Sequence, residues 1–99
     1  MVYSASSGYS KVNAEEVAQY SYLLDEDGRI KRWPKKATEK QFVLEYLKSK
    51  FSSRRKYTEK EVNSIISEWH LFEDYALLRR EMYDRYLINR TNDGREYWV

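Results

Sequence analysis

The stretch from Thr58 to Trp69 leaves little choice of local structure. Thr58-Glu59-Lys60-Glu61 is a capping-box sequence, in which a threonine hydroxyl and a glutamate three residues on each satisfy a backbone N–H at a helix start. Val62, Ile65, Ile66 and Trp69 follow at i, i+3, i+4 and i+7, so one stripe of this helix is apolar and must be covered. A second helical pattern runs from Leu71 to Tyr86. It places Leu71, Tyr75, Leu78, Met82 and Tyr86 on one stripe and Glu73, Leu77, Arg80 and Asp84 opposite. Leu87 to Arg90 and Arg95 to Val99 then alternate around Thr91-Asn92-Asp93-Gly94, whose Asp-Gly pair suits a tight hairpin.

The rest of the chain supplies what this unit packs against. Residues 1–12 are serine-rich and aperiodic and are expected to be a disordered tail. Residues 13–27 are expected to form a helix and a turn. Asn13 and Glu16 make a second capping pair, Val17, Tyr20 and Leu24 share a stripe, and Asp25-Glu26-Asp27-Gly28 ends the segment. Residues 28–99 form the main domain. Arg29 to Trp33 reads as extended, because Pro34 disfavours the helical region for the residue before it. The next helix is expected to be capped by Thr38, with Gln41 at the box position and Phe42, Val43, Tyr46, Leu47 and Phe51 turned to the core. Lys56-Tyr57 is a candidate short strand before the Thr58 helix. Helix, strand, helix, helix, hairpin is the ground plan of a winged helix. The expected fold class is therefore α+β: a winged-helix-like three-helix core with a C-terminal β-hairpin wing, plus an N-terminal helix and extended segment.

Composition removes several kinds of chemistry. A chain of 99 residues makes one domain with little core to spare, so its three Trp, three Phe and ten Tyr must carry much of the burial. The absence of cysteine excludes disulfides, thiolate metal sites and cysteine nucleophiles. Three glycines, far apart, make no phosphate-cradling loop. His70 is the only histidine, so no His-His metal motif exists. It stands four residues before Asp74, which fits either an acid-base pair or a local contact fixing a helix junction, and the contact is preferred. Asp25 to Asp27 lacks the alternating ligands and distal glutamate of a calcium loop. The expectation is a non-enzyme without cofactor or metal. No apolar run approaches membrane-spanning length and the start has no leader-like pattern, so a cytoplasmic protein without membrane contact is expected.

Charge is unevenly spread. Residues 29–60 carry twelve Lys/Arg against three Glu, while the segments before and after are net acidic. Such a block is a candidate footprint for an anionic partner, or else a solvated face. Arg54, Arg55, Lys56 and Lys60 fall before and at the start of the Thr58 helix, where phosphate contacts position a duplex. Arg79 and Arg80 are the cations of the next helix, and Arg90 and Arg95 flank the hairpin tip. Residues 72–86 have a balance of −1, and pairs such as Arg80–Asp84 and Asp74–Arg85 would leave that helix little charge for DNA. Trp69, Tyr97 and Trp98 read as packing residues before base-stacking platforms, and Trp33 as an anchor for the extended segment. Leu77, apolar on a polar face, is a candidate docking patch. Two functions remain: nucleic-acid binding through phosphates of duplex DNA, or a module that binds another regulator protein or itself.

Several patches resemble one bacterial domain-of-unknown-function family. They are Gly28 to Pro34, Val43 to Leu47 with Phe51, Arg55 to Asn63, His70, Asp74, Leu78 to Glu81, Asp93-Gly94 and Tyr97-Trp98. That family occurs alone and as a C-terminal domain behind ArsR-like winged-helix repressors. The resemblance implies a winged-helix-like fold and a transcription-linked context, with no established activity to transfer. The family tends to place a glycine just before the hydrophobic start of the wing, where this chain has Arg85-Tyr86.

Overall fold

The computed structural model describes residues 12–99. In chain order they form α1 (Ala14–Gln19), a 3-10 turn (Ser21–Leu23), α2 (Ala37–Lys48), α3 (Glu59–Glu68), α4 (Tyr75–Asp84), β1 (Asn89–Arg90) and β2 (Tyr97–Trp98). The strands pair antiparallel, Asn89 opposite Trp98 and Arg90 opposite Tyr97. The architecture is α+β, four helices with a C-terminal two-stranded hairpin. The expected tail, residues 1–12, lies outside the described residues except for Val12, which packs against the core.

Helix α2 is the centre. Tyr20 stacks on Phe42 at 4.7 Å, and the Tyr46 hydroxyl donates to the Gly28 carbonyl at 2.6 Å, so the N-terminal segment covers one side of it. Helix α4 packs against it as well. Enclosure on more than one side explains why Leu44, about 200° around the helix from Phe42, is fully buried although only one face was expected to be. The helix starts at Ala37 with Lys36 as its uncapped entry residue, two positions before the expected Thr38. Thr38 lies inside the first turn, where a hydroxyl has no cap to make.

Local signals hold well in α3. The Thr58 hydroxyl accepts from the Glu61 N–H at 3.1 Å, and Glu61 accepts from the Thr58 N–H at 2.9 Å. Val62 and Ile66 are fully buried, with Ile65 and Trp69 partly so. The expected strand residue Tyr57 bridges antiparallel to Tyr97, its N–H and carbonyl both bonded to Tyr97 at 2.8 Å. Ile30 bridges Leu24 on one side and His70 on the other, which ties the extended segment beside the α3–α4 turn.

Helix α4 is shorter than the apolar stripe suggests. Glu73 takes a left-handed φ of 52°, which breaks helical continuity, and the Asp74 carboxylate then caps α4 by accepting from the Leu77 N–H at 3.2 Å. Leu78 and Met82 are fully buried, but Leu71, Tyr75 and Tyr86, from the two ends of the stripe, are exposed. At the far end the Leu87 N–H donates to the Met82 carbonyl and the Tyr86 N–H to the Tyr83 carbonyl, a Schellman closure with Tyr86 at its left-handed position, φ 62°. A glycine there would carry no Cβ penalty, and the exposed Tyr86 carries it.

Candidate nucleic-acid interface

The first turn of α3, the outer face of α4 and the hairpin meet around one carboxylate. Glu59 accepts the Tyr97 hydroxyl hydrogen at 3.1 Å through Oε1, while Oε2 lies 3.8 Å from an Arg79 guanidinium nitrogen. The same nitrogen of Arg79 donates to the Asn63 side-chain oxygen. Burial, and then the bond to Glu59, raise the Tyr97 phenol above its ordinary value. Three elements distant in sequence are thereby fixed to one another.

Beside this knot runs a groove of about 630 Å³. Arg79, Arg80 and Arg90 line it together with Leu77, Tyr83 and Tyr97, and Glu59 and Asp74 supply its negative charge. Arg79 is turned inward to Glu59 and Asn63. Arg90 lies over the Tyr83 ring at 4.9 Å and donates to the Thr91 and Asn92 carbonyls at 3.4 and 3.5 Å, so it braces the hairpin loop. Arg80 is exposed and forms no salt bridge among the described residues. Leu77 is half-buried in the groove wall. Tyr83 and Arg90 also line a second cavity, of about 350 Å³, with Tyr86, Ile88 and Trp98.

The other sequence candidates lie apart from the groove. Arg55 is bound to the capping carboxylate of Glu61 at 2.9 Å and stacked over Tyr57 at 4.2 Å. Lys60 shares a shallow cavity with Arg55 on the outer side of α3. Lys56 reaches Glu96 at 3.5 Å and lies 5.7 Å from the Trp98 ring centre. Arg54 is exposed in the preceding loop. Arg95, at the hairpin tip, is 3.6 Å from Asp93.

Within α4 the expected ion pairs are replaced by another. Arg85 pairs with Glu81 at 3.3 Å, whereas Arg80–Asp84 and Asp74–Arg85 do not form. The observed pair puts the glutamate toward the helix N-terminus, the favoured orientation at i, i+4, and Arg80–Asp84 would be the reverse. Asp74 is already committed to its cap.

His70 and Asp74 do meet, through the aspartate backbone. The Asp74 N–H donates to His70 Nε2 at 2.8 Å, and His70 Nδ1 lies 2.6 Å from the Ile66 carbonyl. A carbonyl needs a donor and an N–H needs an acceptor, so the ring is the neutral Nδ1–H tautomer with both nitrogens in use. Its role is the helix-junction contact, and the imidazole–carboxylate pair is absent. The Asp25 turn is likewise closed on itself: the carboxylate accepts from the Asp27 and Arg29 N–H groups at 2.9 and 2.8 Å. Among the described residues no group of three or more His, Cys, Asp or Glu could hold a metal ion. None of their helices is long and apolar enough to cross a membrane.

Glu59 and Tyr83 were not legible as site residues. Glu59 reads as an ordinary acid of a helix start, and its partner Tyr97 lies 38 residues on. Tyr83 stands off the apolar stripe of α4, and only the folded hairpin brings Arg90 onto its ring.

Fold and groove together define a small α+β domain with an arginine-lined groove between its last helix and a terminal hairpin. Residues 29–99 match the family described as an uncharacterised protein conserved in bacteria (DUF2087), and the chain belongs to that family. No curated protein and no solved structure matches the chain.

Proposed function

We propose that this chain is a non-catalytic, winged-helix-like domain that binds nucleic acid in a transcription-regulating context. One observation carries the reading. The order α2, α3, α4, hairpin, with the Tyr57–Tyr97 bridge adding a short strand before α3, sets α4 and the hairpin side by side around Arg79, Arg80 and Arg90. The partner is duplex DNA, met mainly at its phosphates, because two of the three groove arginines are already engaged within the chain, Arg79 by Glu59 and Arg90 by Tyr83 and the hairpin carbonyls. The absence of catalysis is supported by His70, whose two ring nitrogens are both spent on backbone groups. The test is titration of isotope-labelled protein with mixed-sequence duplex at about 50 and about 200 mM salt. Salt-sensitive amide shifts support the reading, and no binding at the lower salt overturns it.

A second reading, a protein-interaction or self-association module, is favoured by one feature. Tyr83 and Tyr86 are exposed beside the cavity that Ile88 and Trp98 line, an aromatic surface of the kind partners cover. Solution scattering tests its self-association form: a monomeric mass at high concentration removes that form.

A further inference from the structure

Four cations stand together between the Ile30 bridge and α2. Lys31, Arg32, Lys35 and Lys36 are all exposed, and no Asp or Glu occurs between Asp27 and Glu39. None of the four forms a salt bridge among the described residues. The cations around them are committed elsewhere: Arg29 to Asp25 and Asp27, and Lys40 to a place over the Trp33 ring. Many cations of the α3–α4–hairpin side are committed too, in the pairs Arg55–Glu61, Lys56–Glu96, Arg79–Glu59 and Arg95–Asp93. A paired cation must share or abandon its carboxylate to bind phosphate, and an unpaired one need not.

The segment is also held in place. The Ile30 N–H donates to the Trp69 carbonyl at 2.8 Å and the Leu71 N–H to the Ile30 carbonyl at 2.9 Å, so Lys31 leaves the bridge beside the turn that leads into α4. Pro34 is fully buried and Trp33 packs against the core, which anchors the middle of the run. The four charges therefore project from ordered backbone, and binding need not first order a free tail.

We infer that Lys31, Arg32, Lys35 and Lys36 are the main phosphate contacts of this domain with a duplex, outweighing Arg54, Lys60 and Arg80. Three of the four are lysines, point charges suited to a row of phosphates more than to bidentate carboxylate recognition. The inference rests on the nucleic-acid reading above.

The experiment compares the wild type with K31Q/R32Q/K35Q/K36Q and R54Q/K60Q/R80Q, using a fluorescent mixed-sequence duplex across a salt series. All seven side chains are exposed, and a thermal melt of each variant confirms folding. Four phosphate contacts make wild-type affinity fall roughly 100-fold between about 50 and about 200 mM salt. The quadruple variant should bind at least about 10-fold more weakly at low salt and lose most of that salt dependence. The triple variant should lose less, roughly 3-fold. A triple variant that loses as much as the quadruple one, or more, overturns this assignment and leaves nucleic-acid binding intact. A wild type that binds no duplex at low salt overturns the nucleic-acid reading, and the assignment with it.

Discussion

Tyr97 in the second hairpin strand donates its hydroxyl hydrogen to Glu59 in the first turn of α3 at 3.1 Å, and the same carboxylate faces Arg79 of α4 at 3.8 Å. Glu59 thus holds the hairpin and the two helices together by polar contact. Tyr97→Phe removes the hydroxyl and keeps the buried ring, so it should cost about 1 kcal/mol in urea unfolding. The informative quantity is the cycle with Glu59→Gln. Residues acting as one unit give a double variant little worse than the worse single, with a coupling energy of about 0.5–1.5 kcal/mol. Strict additivity would mean that the hairpin is positioned by its strand pairing alone.

Tyr86 should be improvable. It occupies the left-handed closing position of the α4 Schellman motif at φ 62° and is 86% exposed, so its side chain gains little from packing. The left-handed conformation costs an L-residue about 1–2 kcal/mol, part of which glycine returns through its more flexible unfolded chain. Tyr86→Gly is expected to stabilise by about 1 kcal/mol, or roughly 4–8 °C in Tm for a domain of this size. A lower Tm would show that the Tyr86 ring packs usefully. If the variant also loses binding to a partner, the exposed aromatic is an interaction residue kept at the expense of stability.

The contrast between these two sites marks what could be read in advance. The α3 capping box, the Val62–Ile66 stripe and the Asp93-Gly94 turn are local, and residues a few positions apart decide them. The start of α4 misled because Leu71 continues the helical period of Tyr75 and Leu78 past the point where Glu73 turns left-handed and Asp74 caps. In the N-terminal segment Leu24 fitted the α1 stripe, but a 3-10 turn follows that helix and buries Leu23 instead. The candidate interface was legible as charge and illegible as availability. Arg55, Arg79 and Arg90 look alike in sequence, and only the fold ties each to its own partner.

Acid should loosen the turns first. The Asp25 carboxyl is held below its ordinary value of 3.8, chiefly by the Arg29 N–H. Glu61 is held below 4.5, chiefly by the Thr58 N–H, and Asp93 below 3.8, chiefly by the Thr91 hydroxyl. Each folded-state value lies below its unfolded one, so the stabilisation is complete above the ordinary values. It is lost as pH falls through the lowered ones. Thermal midpoints should therefore be flat near neutrality and drop from about pH 5 downward. D25N/E61Q/D93N should be less stable at neutral pH and show a shallower acid limb. An acid limb of unchanged depth would place the responsible carboxylates elsewhere.

His70 provides the sharpest distinction between a structural and a chemical group. It is buried, and its ring joins the end of α3 to the entry of α4 through the Ile66 carbonyl and the Asp74 N–H. The ring also meets Phe72 edge-on at 4.6 Å between centroids. His70→Ala strands both backbone groups and opens a cavity, which should cost about 2–4 kcal/mol. Asp74→Asn keeps an equally good N-cap and leaves the backbone N–H in place, so it should change stability by less than about 0.5 kcal/mol. An imidazole–carboxylate pair would behave differently, because removing the aspartate charge would then cost nearly as much as removing the histidine. Urea midpoints of the two variants measured side by side decide between them, and a costly Asp74→Asn would return His70 to the list of candidate acid–base groups.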